Sequence, residues 1–177
     1  MALTSNDIRL YRSLYIAASE NEWAGGDIGA SEVDPEDLNN VFLVGVFKED
    51  GGSDEIIYQK VFVKNINPDG YGFYNVGIFI NQASYPGQIG IALEHNSSDI
   101  VVKNGDDSTL ECDTAPTTGS GYVFEYPDGM GNALDVGDLL AQQYQGIWIR
   151  RTLVAGLDDG GAASALIVLG ITGTTVS

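Results

Sequence analysis

The fold class this sequence predicts is all-β: an antiparallel β-sandwich, of jelly-roll or immunoglobulin-like type, with one or two short helical turns. Three observations predict it. Apolar residues recur with a period of two in segment after segment, turn-forming combinations separate those segments, and glycine supplies 23 of 177 residues. A period of two marks a strand with one buried face, because successive side chains point to opposite sides. Glycine at about 13% is nearly double the usual ~7%, and it falls between the apolar runs, where turns need φ > 0.

Taken in chain order, the first segment is open to two readings. Ile8, Leu10, Leu14 and Ile16 fit a strand; Ile8, Tyr11 and Tyr15 fit a helix capped at Ser5. The strand is favoured. The stretch 19–35 is acidic and Gly-rich and has no period, with Trp23 isolated in it. It reads either as an extended arm reaching a neighbouring subunit or as a surface loop with Trp23 folded onto the core. Asp34-Pro35-Glu36-Asp37 reads as an N-cap with Pro at the first helical position, opening one turn. A strand is expected over 41–47. Over 56–65, Ile57, Val61 and Val63 are expected inward and Lys60 and Lys64 outward. Over 73–81, Tyr74, Val76, Ile78 and Ile80 alternate with Asn75, Gly77 and Asn81. Over 88–94, Ile89, Ile91 and Leu93 share one face. A further strand is expected over 122–126 and a short helix over 134–143. Over 145–153, Ile147, Ile149 and Leu153 alternate with Gly146, Trp148, Arg150 and Thr152. The run 163–172 is apolar on both faces, as a central covered strand would be. Asp50-Gly51-Gly52-Ser53, Asn67-Pro68-Asp69-Gly70, Tyr85-Pro86-Gly87, Asn104-Gly105-Asp106 and Asp158-Asp159-Gly160-Gly161 supply the turns.

Residues 1–177 read as one β-sandwich domain, with 1–40 as an extended N-terminal segment and loop. No repeat or linker divides it, and the length suffices for a real core. Twenty-five Asp and Glu face eight Lys and Arg, a formal charge of −17. Duplex binding draws on cations that displace condensed counterions, so no nucleic-acid partner is expected. No apolar run approaches the ~20 residues of a spanning helix, so no membrane partner is expected. The segment 1–7 lacks the charged and apolar regions of a signal peptide. Cys112 stands alone, which rules out an internal disulfide framework.

Chemistry is sparse. His95 is the single histidine, and its sequence neighbours in a strand would point to opposite faces. Cys112 sits among acids that would raise rather than lower a thiol pKa. One His and one Cys do not make a structural zinc site. Asp106-Asp107, Asp158-Asp159 and Asp34-Pro35-Glu36-Asp37 are acidic loops of the kind that can hold Ca²⁺, but none has EF-hand spacing and solvated turns are the default. No cofactor, metal ligand or catalytic residue is therefore assigned, and the chain is not expected to be an enzyme. The candidate interface residues are Arg9 and Arg12, Trp23, Trp148, and Arg150 and Arg151. Arg forks and indole rings are enriched where proteins meet. Reversing the charge of Arg150 and Arg151 together is expected to leave the fold intact.

Several blocks resemble a group of tailed-bacteriophage virion structural proteins: 1–8 (MALTSNDI), 38–42 (LNNVF), 58–65 (YQKVFVKN), 134–139 (LDVGDL) and 147–152 (IWIRRT). They occur in the same order in that group, and 82–119 departs from the pattern. The resemblance implies a capsid decoration (cement) protein on the outer surface of the virion, made in the host cytoplasm. Its implied partners are the major capsid protein and copies of itself, as a homotrimer or homodimer. A head–tail connector or tail component is the nearest alternative, and a carbohydrate- or receptor-binding β-sandwich module the next. A small β-sandwich hydrolase is the weakest reading, for want of a base–nucleophile pair.

Overall fold

Two antiparallel sheets pack face to face in the computed structural model, which describes residues 4–13, 27–34, 55–83, 86–95, 122–153 and 167–175. The strands are β1 Ile8–Ser13, β2 Ile28–Val33, β3 Glu55–Asn65, β4 Phe73–Ala83, β5 Ile89–Leu93, β6 Leu134–Leu139, β7 Tyr144–Leu153 and β8 Ile167–Thr175. Sheet one runs β2-β1-β3-β7-β5 and sheet two runs β6-β4-β8. The predicted β-sandwich is thus the fold. The N-terminal segment is a strand, entered through a short 3₁₀ turn at Ser5–Asp7.

The core lies between the sheets. Leu10, Val33, Ile57, Val61, Val63, Ile89, Ile91, Ile147 and Ile149 face it from sheet one. Phe73, Val76, Ile78, Ile80, Val136, Leu139, Ile167 and Leu169 face it from sheet two. Burying one such aliphatic side chain contributes roughly 1.5–3 kcal/mol relative to leaving it in water. A single strip of chain stitches the sandwich along one side. Ile91 and Glu125 exchange backbone hydrogen bonds of 2.8 and 3.0 Å, and Ile80 N–H then donates to Pro127 O at 2.7 Å. The strand expected over 122–126 is reduced to that one bridge.

Four expectations are corrected. The stretch 134–143 is not a helix; it is β6 followed by a turn. Asp135 Oδ1 accepts the Gly137 N–H at 2.8 Å, and Gly137 takes φ 74°, so side chain and glycine together divert the backbone from helical geometry. In β4, Phe73 rather than Tyr74 enters the core. Asn75 adopts φ 50°, and the pairing with β6 slips between Phe73 and Val76, so a bulge resets the alternation. β8 is not central among the described strands: it lies at the edge of sheet two, and the Phe79 ring lies over Gly170 on the face away from the core. Lys60 points away from the core as alternation requires, yet it is fully buried, because the second face of sheet one is covered too. The strand expected over 41–47 and the turn at Pro35-Glu36-Asp37 lie outside the described residues.

The predicted turn at 67–70 is built around two asparagines. Asn67 Oδ1 accepts the N–H groups of Asp69 and Tyr71 at 3.0 and 3.1 Å, and Gly70 takes φ 86°. Buried Asn65 donates from Nδ2 to Tyr71 O at 2.9 Å and Leu139 O at 3.0 Å, and its Oδ1 accepts the Asn67 N–H at 3.0 Å. These bonds tie the end of β3 to the end of β6.

Candidate functional site

The face of sheet one that turns away from the core collects cations and aromatic rings. Register fixes which residues share it. Arg9 stands opposite Lys64, which stands opposite Tyr144; Tyr11 stands opposite Phe62, and Phe62 opposite Gly146. Lys60 stands opposite Trp148, which stands opposite Ala92; Tyr58 stands opposite Arg150, which stands opposite Gly90. Lys60 Nζ lies 4.9 Å from the Phe62 ring centre and 5.3 Å from that of Trp148. Lys64 Nζ lies 5.8 Å from Tyr11 and 5.9 Å from Tyr144. The Arg150 guanidinium lies 4.9 Å from the Phe124 ring. Each such contact uses the negative face of a π-system to hold a cation.

At the centre of this face is an ion pair cut off from water. Lys60 Nζ and Glu94 Oε1 are 2.5 Å apart, with side chains 0% and 1% exposed. Glu94 follows β5, and its N–H donates to Gly146 O at 2.8 Å. Gly146 is what gives the carboxylate room, since a Cβ built there would collide with Glu94 Oε2. Gln145 Nε2 donates to Glu94 O at 2.9 Å and to Gly146 O at 3.1 Å, fixing the backbone that presents the acid. Next to it His95 stacks on Tyr122 with ring centres 4.1 Å apart, and the Tyr122 hydroxyl donates to His95 O at 3.2 Å.

The candidate interface residues do not end up together. Arg9 is at the rim, side chain 36% exposed, with Nε 3.8 Å from Glu32 Oε2. The Tyr11 hydroxyl donates to the same carboxylate at 3.4 Å, and burial first, then the Glu32 charge, holds the Tyr11 pKa above the usual phenol value. Arg12 is half-buried opposite Val61. Arg150 and Arg151, adjacent in sequence, sit on opposite faces of β7: Arg150 over Phe124, Arg151 buried on the core side opposite Ile57. Trp148 is completely buried within the chain and presents no surface of its own. The expectation that Arg150 and Arg151 can both become Glu with the fold intact is therefore corrected, because a carboxylate at position 151 would be buried in the core. Trp23, Cys112, Asp106-Asp107 and Asp158-Asp159 lie outside the described residues.

Lys60 is expected on the outward face of its strand, and nothing in the sequence joins it to Glu94 or Gly146. A signal of its burial was there: Phe62 and Trp148 occupy the supposedly solvated side of β3 and β7, so that side had to be covered, and Lys60 with it. Among the described residues no group of three His, Cys, Asp or Glu could hold a metal ion. A half-open groove of about 320 Å³ runs between the β1–β2 edge and β8, lined by Ile8, Arg9, Leu10, Glu32, Val33, Asp34 and Ile171. No protein family, curated protein or solved structure matches the chain.

Proposed function

We propose that this chain is a capsid decoration protein of tailed-phage type, which reinforces a shell through contacts with the major capsid protein and with its own copies. One observation carries the reading most of the way: the cations of the described strands are confined to one sheet. Every Lys and Arg among the described residues lies on β1, β3 or β7, all in sheet one. β4, β6 and β8 carry none, and Asp135 and Asp138 stand exposed on β6. A molecule with two unlike faces is suited to lie one way up on a surface. The resemblance supports the same reading, since the blocks 58–65 and 147–152 are the two strands at the centre of sheet one.

The partly exposed rim of Arg9, Tyr11, Lys64 and Tyr144 is the docking side in this reading, and the acidic sheet faces solvent. Each bound copy would bridge neighbouring capsomers and stabilise the assembled shell by mass action. The acidic surface suits the outside of a shell rather than its DNA-lined interior.

Copy number per particle, from quantitative mass spectrometry of purified virions against the major capsid protein, tests this. A simple ratio to the capsid subunit is expected. Only a handful of copies would move the protein to the neck or tail, and absence from particles would overturn the structural reading in favour of a binding module.

A further inference from the structure

We propose that Lys60 and Glu94 condense into an intramolecular isopeptide bond, making the centre of sheet one covalent. The inference does not depend on the particle reading. Three features of the site support it. The amine and the carboxyl are already in contact at 2.5 Å, with the carboxyl carbon one bond beyond Oε1. Both side chains are shut off from water, and the amine is walled by Phe62 and Trp148. Both groups are held in place, Lys60 in the middle of β3 and Glu94, just past β5, pinned by Gly146 and Gln145.

Such a site favours condensation for two physical reasons. A fixed contact replaces a bimolecular encounter, and effective molarities for well-oriented groups reach roughly 10⁵–10⁸ M. Burial also removes the hydration that keeps an ammonium and a carboxylate apart as ions, so transfer of one proton between them to give the neutral pair is less costly than in water. In the reaction, one ammonium proton passes to the carboxylate. The Nζ lone pair then attacks Cδ, forming the C–N bond and pushing the carbonyl pair onto oxygen. A second Nζ proton moves to the hydroxyl, the C–O bond breaks with its electrons, and water leaves. An ammonium and a carboxylate become one amide and one water, with no oxidant, reductant or cofactor. Because β7 lies between β3 and β5, the bond would staple three adjacent strands across the sheet.

Intact mass and peptide mapping of the purified full chain test this. The expected chain is one water lighter than its sequence mass, and its tryptic map contains a branched peptide joining Lys60 to Glu94, with the bond after Lys60 uncut. Lys60→Arg keeps the positive charge but lacks the nucleophile, and is expected to return to the sequence mass. Three results would overturn the proposal: a folded wild-type chain that keeps its sequence mass after prolonged incubation, which would make the contact an ordinary ion pair; a water loss that maps to an aspartyl succinimide at Asp50-Gly51, Asp69-Gly70, Asp128-Gly129 or Asp159-Gly160; or a water loss that persists in Lys60→Arg. Should that variant fail to fold, the wild-type peptide map decides alone.

Discussion

The two sheets of this sandwich solve the same problem differently. Sheet two is a one-sided sheet: Val76, Ile78 and Ile80 fill the core, while Asn75 and Asn81 on its central strand stand exposed. Sheet one is buried on both sides at its centre. Val61, Ile147 and Ile149 fill the core, and Lys60, Phe62 and Trp148 are equally enclosed on the other face. Apolar packing tolerates local repacking. A buried charge does not, because its partner is left stranded when it goes. The contrast teaches that sheet one has an apolar core face like that of sheet two and adds to it a buried polar contact whose loss cannot be repacked.

The largest expected effect breaks that contact. Measured against the uncondensed ion pair, Lys60→Ala or Glu94→Ala leaves the other charge buried and unpaired, at a cost of about 3–5 kcal/mol. Urea denaturation measures it. The pair Lys60→Met with Glu94→Leu removes both charges at similar volume and is expected to recover most of that ion-pair loss, though not what a covalent bond adds. If the two single changes simply add in the double variant, the coupling is absent and the contrast between the sheets fails.

Glycine substitutions sharpen the comparison at smaller scale. Gly146→Ala in sheet one drives a methyl group into the Glu94 carboxylate. Overpacking of this kind costs typically about 1–3 kcal/mol, with the pinned acid at the upper end. Gly170→Ala in sheet two meets the Phe79 ring, which is only half-buried and can swing toward solvent. A methyl group that only pushes such a ring aside is expected to cost less than about 1 kcal/mol. Thermal melts of the two variants side by side give the order; equal losses would show that the ring is as firmly held as the carboxylate.

How much of this was legible in the sequence follows from the same contrast. Ile57, Val61 and Val63 could be placed because alternation is a property of the strand itself. The burial of Lys60 could not be read from β3 alone, since what encloses it includes Trp148 on β7, across the ladder. Phe73 was misplaced because one residue, Asn75, takes a left-handed conformation and slips the register, and no period reveals a bulge. A short helix is expected over 134–143, but Asp135 and Gly137 locally favour a kinked strand. The adjacent arginines at 150 and 151 looked like one cluster, yet strand geometry separates them onto two faces.

At the rim of sheet one the same charges matter little to stability. Arg9→Glu loses the 3.8 Å contact with Glu32 and places two acids side by side. Exposed pairs are worth about 0–1 kcal/mol, and salt screens them, so the melting temperature is expected to shift slightly and less at high ionic strength. Particle occupancy is expected to fall far more than stability does. An unchanged occupancy would remove Arg9 from the docking rim.

The smallest effect lies where sheet one begins. The Asp7 carboxylate accepts the Thr4 N–H at 2.7 Å and the Thr4 hydroxyl at 3.0 Å. The backbone hydrogen bond from Thr4, ahead of the other influences, holds its pKa below the ordinary 3.8. A carboxylate whose folded pKa is depressed adds stability that is fully present above the unfolded value and is lost as pH falls through the folded one. Asp7→Asn removes that ionisable acceptor. The wild-type advantage over this variant is therefore expected at neutral pH and should shrink steadily below about pH 4. Stability curves of the wild type and this variant against pH measure the change. A wild-type advantage over Asp7→Asn that held constant through the acid range would show that Asp7 acts through its shape rather than its charge.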